Sequence, residues 1–223
     1  MKKLLLSLLG CATLVGTAYA GDEKITRGYN SNDSLGCMIL RECTDNVRRI
    51  ASIKNIQDSY PNSDYSAVAT EFNEMLDSLD KIGVMVFLGD QKYFPIGNRG
   101  VYHTVSNNFF LNDAFMGRQS TLMSVVRHEG WHAAQDCMAG TIDNSLIAII
   151  LPEDDVPSIW REMAERTYPK SVVPWEAEAS WAGRTENMTS DALAACSTGK
   201  MWEIYEPTPL TRKYLVKEGY IAK

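Results

Sequence analysis

His128-Glu129-Gly130-Trp131-His132 lies inside 122–138, a stretch that reads as a single helix closed by Gly140. Two imidazoles four residues apart fall about one turn apart on one helical face, so both can reach a single metal ion. A glutamate between them is placed to handle a water on that ion, and the donor types favour zinc. The chain has three histidines, and this pentad uses two of them. Ser120 or Thr121 is the expected cap at the start of the helix.

Two histidines leave zinc underligated, because a catalytic site has three protein ligands and keeps a fourth position open. A third histidine in the spacing H-E-x-x-H-x-x-G-x-x-H is excluded, since Gln135 and Met138 stand where Gly and His would be needed. A carboxylate from a later helix is the other solution, and Glu176 and Glu178 are the candidates. Two residues apart on a helix, they point about 200° from each other, so only one can face the metal. The apolar residues around them, Trp175, Ala179 and Ala182, do not decide which.

The segment His128-Glu-Gly-Trp-His-Ala-Ala-Gln135 together with Glu176-Ala-Glu178-Ala179 resembles the H-E-x-x-H-x-x-Q and later E-x-E-A pattern of small metallopeptidases in the gluzincin division of the zincins. That resemblance covers roughly 100–183. It implies His128, His132 and Glu178 as ligands of Zn2+, Glu129 as the general acid/base, and a peptide or protein as the substrate. It also implies a strand ahead of the active helix. The wider chain, notably 127–140 and Tyr205-Glu-Pro-Thr-Pro209, resembles exported proteins of marine cyanobacteria and their viruses, a likeness that implies no activity. Thermolysin-like gluzincins place an Asp four residues after the ligand Glu, and this chain has Ala182 or Ser180 there. Asp136 and Asp143 are the candidates to orient a histidine instead.

The N-terminus reads as a secretory leader. Lys2 and Lys3 precede an apolar run, 4–15, and Ala18-Tyr19-Ala20 supplies small residues before Gly21, predicting cleavage after Ala20. Lipoprotein processing at Cys11 is the competing reading. The run is too short to serve as a membrane span. A mature domain of 21–223 is long enough for one sizeable core. Loss of the two leader lysines moves the formal charge from −6 to −8, which disfavours nucleic acid or an anionic membrane as a partner. Cys37, Cys43, Cys137 and Cys196 remain as an even set, predicting two disulfides in a secreted or periplasmic protein. The pairing Cys37–Cys43 with Cys137–Cys196 is favoured among three connectivities.

A coarse pass along the chain predicts a polar arm at 21–34, a short helix over 38–53, and an amphipathic helix begun by Ser63. A buried strand follows at 84–88, and two short strands at 100–105 and 109–112 flank Ser106-Asn107-Asn108. Segment 146–151 is ambiguous. Further helices are expected after Pro157, after Pro174 and over 189–198. The expected fold is therefore α+β: one mostly helical, zincin-like domain with a small sheet preceding the H-E-x-x-H helix. Gly130 costs about 1 kcal/mol in mid-helix relative to Ala, a sign that a substrate or another backbone passes close. His103, Tyr102 and Tyr205 are candidates for substrate or oxyanion contacts, each with a structural role as the simpler alternative. A non-catalytic, disulfide-braced binding protein with a structural or relic zinc site is the rival to a peptidase.

Overall fold

The computed structural model describes residues 33–140, 142 and 146–222. The predicted leader, the arm up to residue 32 and Asp143 lie outside the described residues. The chain is α+β and mostly helical, as expected, with its sheet ahead of the pentad helix in sequence. The helices are α1 (Ser34–Ile39), α2 (Ile53–Ser59), α3 (Ala69–Lys81), α4 (Gln119–Met138), α5 (Ser158–Thr167), α6 (Val173–Ala182), α7 (Met188–Ser197), α8 (Met201–Ile204) and α9 (Pro209–Lys217). The strands are β1 (Arg48–Arg49), β2 (Met85–Gly89), β3 (Gly100–His103) and β4 (Asn108–Asn112).

The sheet order is β1-β2-β4-β3. β3 and β4 form an antiparallel hairpin, turned through Asn107 at φ 52°, and β4 runs parallel to β2 in the middle of the sheet. Period-two alternation divides the side chains between two cores. Val86, Leu88, Phe109 and Leu111 face the main core with the long helices, while Phe87 and Phe110 stack at 5.3 Å on the other face under Met38 and Ile39 of α1. β3 is left at the sheet edge, and α4 packs directly against it.

α4 is the axle of the molecule. It contacts α3, α6, α7 and β3, and Leu122, Val126, Trp131, Ala133, Ala134 and Met138 on it are fully buried. The expected side-chain cap is absent: the helix begins at Gln119, with Arg118 in the capping position and no side-chain cap bond. Its end is as read, Gly140 taking φ 110°. Cys137 near this end is bonded to Cys196 of α7, and Cys37 is bonded to Cys43.

The helix expected over 38–53 does not form. The Cys37–Cys43 crosslink closes a tight loop, and Arg41 and Asn46 adopt left-handed φ of 61° and 59°, so the chain turns back and lays β1 against β2. The amphipathic helix expected from Ser63 starts later, at Ala69, after a single 3-10 turn at Ser66–Val68. Segment 146–151 is neither strand nor helix; it runs irregularly beneath α6. Among the described residues no helix is long and apolar enough to cross a membrane.

Candidate metal centre

α4 presents His128 and His132 to one side, their rings edge to face at 4.9 Å between centroids. The carboxylate that meets them is Glu176, in the first turn of α6. Glu176 Oε2 lies 3.4 Å from His128 Nε2, and Glu176 Oε1 lies 3.7 Å from His132 Nε2. One ligand atom from each of the three residues falls within 4.8 Å of the others. Tetrahedral ligands at zinc bond lengths stand about 3.4 Å apart, so the spacing suits a small divalent ion. Glu176 Oε2 is buried and has no hydrogen-bond partner among the described residues, which leaves a lone pair available to an ion. The residues present therefore fit a metal site of two imidazoles and one carboxylate.

Without an ion the three groups hold one another electrostatically. Burial alone would raise the Glu176 carboxyl, but the two imidazoles outweigh it and hold the group well below the usual carboxylate range. Burial likewise works to lower His132, and the Glu176 carboxylate overrides it, pushing the imidazolium up to about 9.

Glu178, expected as the third ligand, is not at the site. It faces the opposite side of α6 and is 1% exposed. Its carboxylate accepts from Trp131 Nε1 at 2.9 Å, from Gln135 Nε2 at 2.7 Å, and from the backbone N–H groups of Ile150 and Leu151 at 3.0 and 2.6 Å. Burial raises its pKa despite those donors. The correction follows from helix geometry: residues two apart diverge by about 200°, and the buried donors on α4 and at 150–151 claim Glu178, leaving Glu176 to the cleft.

Glu178 nevertheless serves His132 through Gln135. The Gln135 amide nitrogen donates to Glu178 Oε2 and to Trp175 O, so its Oε1 is the end that meets His132 Nδ1, at 2.8 Å. A carbonyl-type oxygen only accepts, so Nδ1 carries the hydrogen and Nε2 is the nitrogen turned to the metal position. The orienting group is thus Gln135. Asp136 is instead buried beneath β3, where it accepts from the Tyr102 hydroxyl at 2.8 Å.

Glu129 points from α4 toward β3, and its Oε2 accepts from the Tyr102 backbone N–H at 2.9 Å. The approach is close because position 100 is glycine: a Cβ there would stand 2.6 Å from Val125 Cγ1 and 3.2 Å from Glu129 Cγ. Tyr102 thus braces the site through its backbone and its buried hydroxyl. Burial, then Asp136, pushes that phenol well above its ordinary pKa. His103 is buried, bonded to Ser106 Oγ at 2.7 Å, and pushed down to about 4 by burial; neither it nor Tyr205 lines the cleft.

The face carrying His128, His132 and Glu176 opens on a cleft of about 510 Å³, shared by Glu129, the edge of β3, Trp160, Met163, Tyr168 and Arg184. Tyr168 is a functional candidate missed in the sequence, where Tyr168-Pro169 signals only a helix end. Burial, together with the carboxylates of Glu176 and Glu129, pushes its phenol up, so it stays a hydrogen-bond donor. No family model, curated protein or solved structure matches the chain.

Proposed function

We propose that the chain is an exported zinc-dependent peptidase of the gluzincin type, with His128, His132 and Glu176 as ligands and Glu129 as the general base. The observation that carries this reading is the convergence of those four side chains on the floor of one open cleft. Zinc held there would polarise a scissile carbonyl and lower the pKa of water beside it toward about 7. Glu129 takes the proton of the attacking water and passes it to the leaving amine. Its second oxygen is steadied by the Tyr102 N–H, which keeps the carboxylate aimed along the cleft. The Tyr168 hydroxyl donates to the oxygen on which negative charge develops. The edge of β3 borders the cleft, with its outward Gly100 and Tyr102 N–H groups already donated to Asn98 Oδ1 and Glu129 Oε2.

Against the rival reading, a binding protein with a structural or relic zinc site, stands Glu129, since a structural zinc site has no need of a carboxylate between its two histidines. Two disulfides fit an oxidising, extracellular or periplasmic compartment, and export is consistent with both readings.

Zinc content and peptide cleavage separate them. The purified chain is expected to hold one zinc, and His132→Ala and Glu176→Ala to lose it. Glu129→Gln should keep the zinc while cleavage of an unbiased peptide library drops by about 10²–10⁴. Equal zinc in the parent and both ligand variants would reject the metal centre, and undiminished cleavage by Glu129→Gln would reject its role.

A further inference from the structure

Acidic side chains outnumber basic ones 28 to 22 in this chain, yet the cleft beside the metal-ligating face is lined by two arginines, Arg99 and Arg184. Both are exposed, and neither is paired with a carboxylate among the described residues. Arg99 lies over the Phe115 ring at 5.5 Å, a contact that supports the guanidinium without neutralising it. The two carboxylates in the same cleft are committed elsewhere: Glu129 accepts from the Tyr102 N–H, and Glu176 faces the two histidines.

The backbone holds both arginines close to the reacting groups. Each follows or precedes a glycine that closes against the Ser124–Glu129 part of α4. A Cβ on Gly100, next to Arg99, would meet Val125 and Glu129; a Cβ on Gly183, next to Arg184, would stand 3.0 Å from Ser124 O and 3.2 Å from His128 Cβ. Two arginines thus enter the cleft lining from different elements, the entry to β3 and the exit of α6, each next to a glycine that abuts the turn carrying His128 and Glu129. Their planar donors match a carboxylate, and an unfulfilled pair beside a reactive centre is a recognition feature. Trp160 and Met163 of α5 supply an apolar wall to the same cleft.

Building on the peptidase reading, we infer that the cleft selects peptides bearing a carboxylate close to the scissile bond, held by Arg99 and Arg184. The carboxylate comes from an acidic side chain or from a free C-terminus, and these two sources share one chemistry.

Peptide binding to the zinc-loaded Glu129→Gln chain, followed by fluorescence anisotropy, tests this without turnover. Amidated peptides carrying Glu, Gln or Lys at each position of an otherwise neutral sequence form one arm; neutral peptides with free or amidated C-termini form the other. The expected result is about tenfold tighter binding of the carboxylate member in at least one arm, weakening as salt is raised. In the Arg99→Gln/Arg184→Gln background the preference should collapse toward unity. Arg99→Glu/Arg184→Glu should turn it toward Lys peptides, which separates the arginines from any attraction by the zinc itself. Equal binding of Glu and Gln peptides together with equal binding of free and amidated termini would overturn the inference, as would a preference unchanged by the arginine substitutions. The peptidase reading fails separately, through absence of cleavage by the parent chain. A parent that cleaves peptides without charge preference keeps that reading and loses this one.

Discussion

Glu176 and Glu178 are identical side chains two residues apart, and the structure gives them opposite tasks. One lies in the cleft wall against two imidazoles; the other is sealed in protein with Trp131, Gln135 and two backbone N–H groups aimed at it. Their substitutions should therefore fail differently. Glu176→Ala is expected to abolish tight zinc binding and, measured without metal, to cost less in urea stability than Glu178→Ala, because the His132 imidazolium left without its carboxylate can shed its proton. Glu178→Ala strips the acceptor from those donors and should cost about 3–5 kcal/mol in urea unfolding. Gln135→Ala leaves the ligands in place but frees the His132 ring, and chelator competition should show a 10–100-fold weaker zinc affinity. A Glu178→Ala protein as stable as the parent, or a Gln135→Ala protein with parental zinc affinity, would contradict these assignments. The pentad was legible from sequence because its spacing is local to one helix. The choice between Glu176 and Glu178 was not, since it depends on how α6 is rotated about its axis, and that is set by partners up to 47 residues away in sequence.

α4 and α7 show the same division between local and distant causes. Gly130 weakens α4 locally, but it admits α7: a Cβ there would stand 3.0 Å from Thr189 Cγ2 and 3.5 Å from Leu193 Cδ1. The Thr189 hydroxyl donates to Arg127 O, so the methyl cannot easily swing aside. Gly130→Ala gains about 1 kcal/mol of helix propensity and loses about 1–3 kcal/mol to overpacking, so a net destabilisation of about 1 kcal/mol is expected in thermal or urea unfolding. A stabilised variant would show that the α4–α7 contact is looser than this. The Cys137–Cys196 bond clamps the same helix pair across 59 residues, whereas Cys37–Cys43 spans 6. Loop-closure entropy then assigns about 4 kcal/mol to the first bond and about 2 kcal/mol to the second, to be measured on the paired Cys→Ser variants. Equal losses would contradict that ordering. Strand β2 was readable to within a residue and α3 at its end, while the start of α3 was not, because a 3-10 turn at Ser66–Val68 delays it to Ala69. The failed helix over 38–53 was not, because a crosslink and two left-handed residues override its apolar pattern.

Across the whole molecule, the cleft exists because the hairpin β3–β4 delivers a sheet edge to α4 while α6 returns from the other side; neither meeting is encoded in any one segment. The hairpin is also where the fold buries its third histidine. His103 lies at the β3 end of the register opposite Asn108, is 5% exposed, and is pushed down by burial from 6.5 to about 4. Above pH 6.5 the imidazole is neutral in both the folded and the unfolded chain and adds no pH dependence. As pH falls from 6.5 to 4 the unfolded chain takes up a proton that the folded chain refuses, so stability drops through that window by at most about 3 kcal/mol. Below 4 both states are protonated and the loss from this group levels off. His103→Gln removes the titration while keeping a polar group near Ser106, so the acid limb of its stability curve should be shallower than the parent's between pH 6.5 and 4. The measurement is urea unfolding at half-unit pH steps, taken as the difference between the two proteins so that carboxylates common to both cancel. Parallel curves across that window would mean that the hairpin opens enough to hydrate His103, and the rigid edge of β3 on which the cleft depends would have to be given up with it.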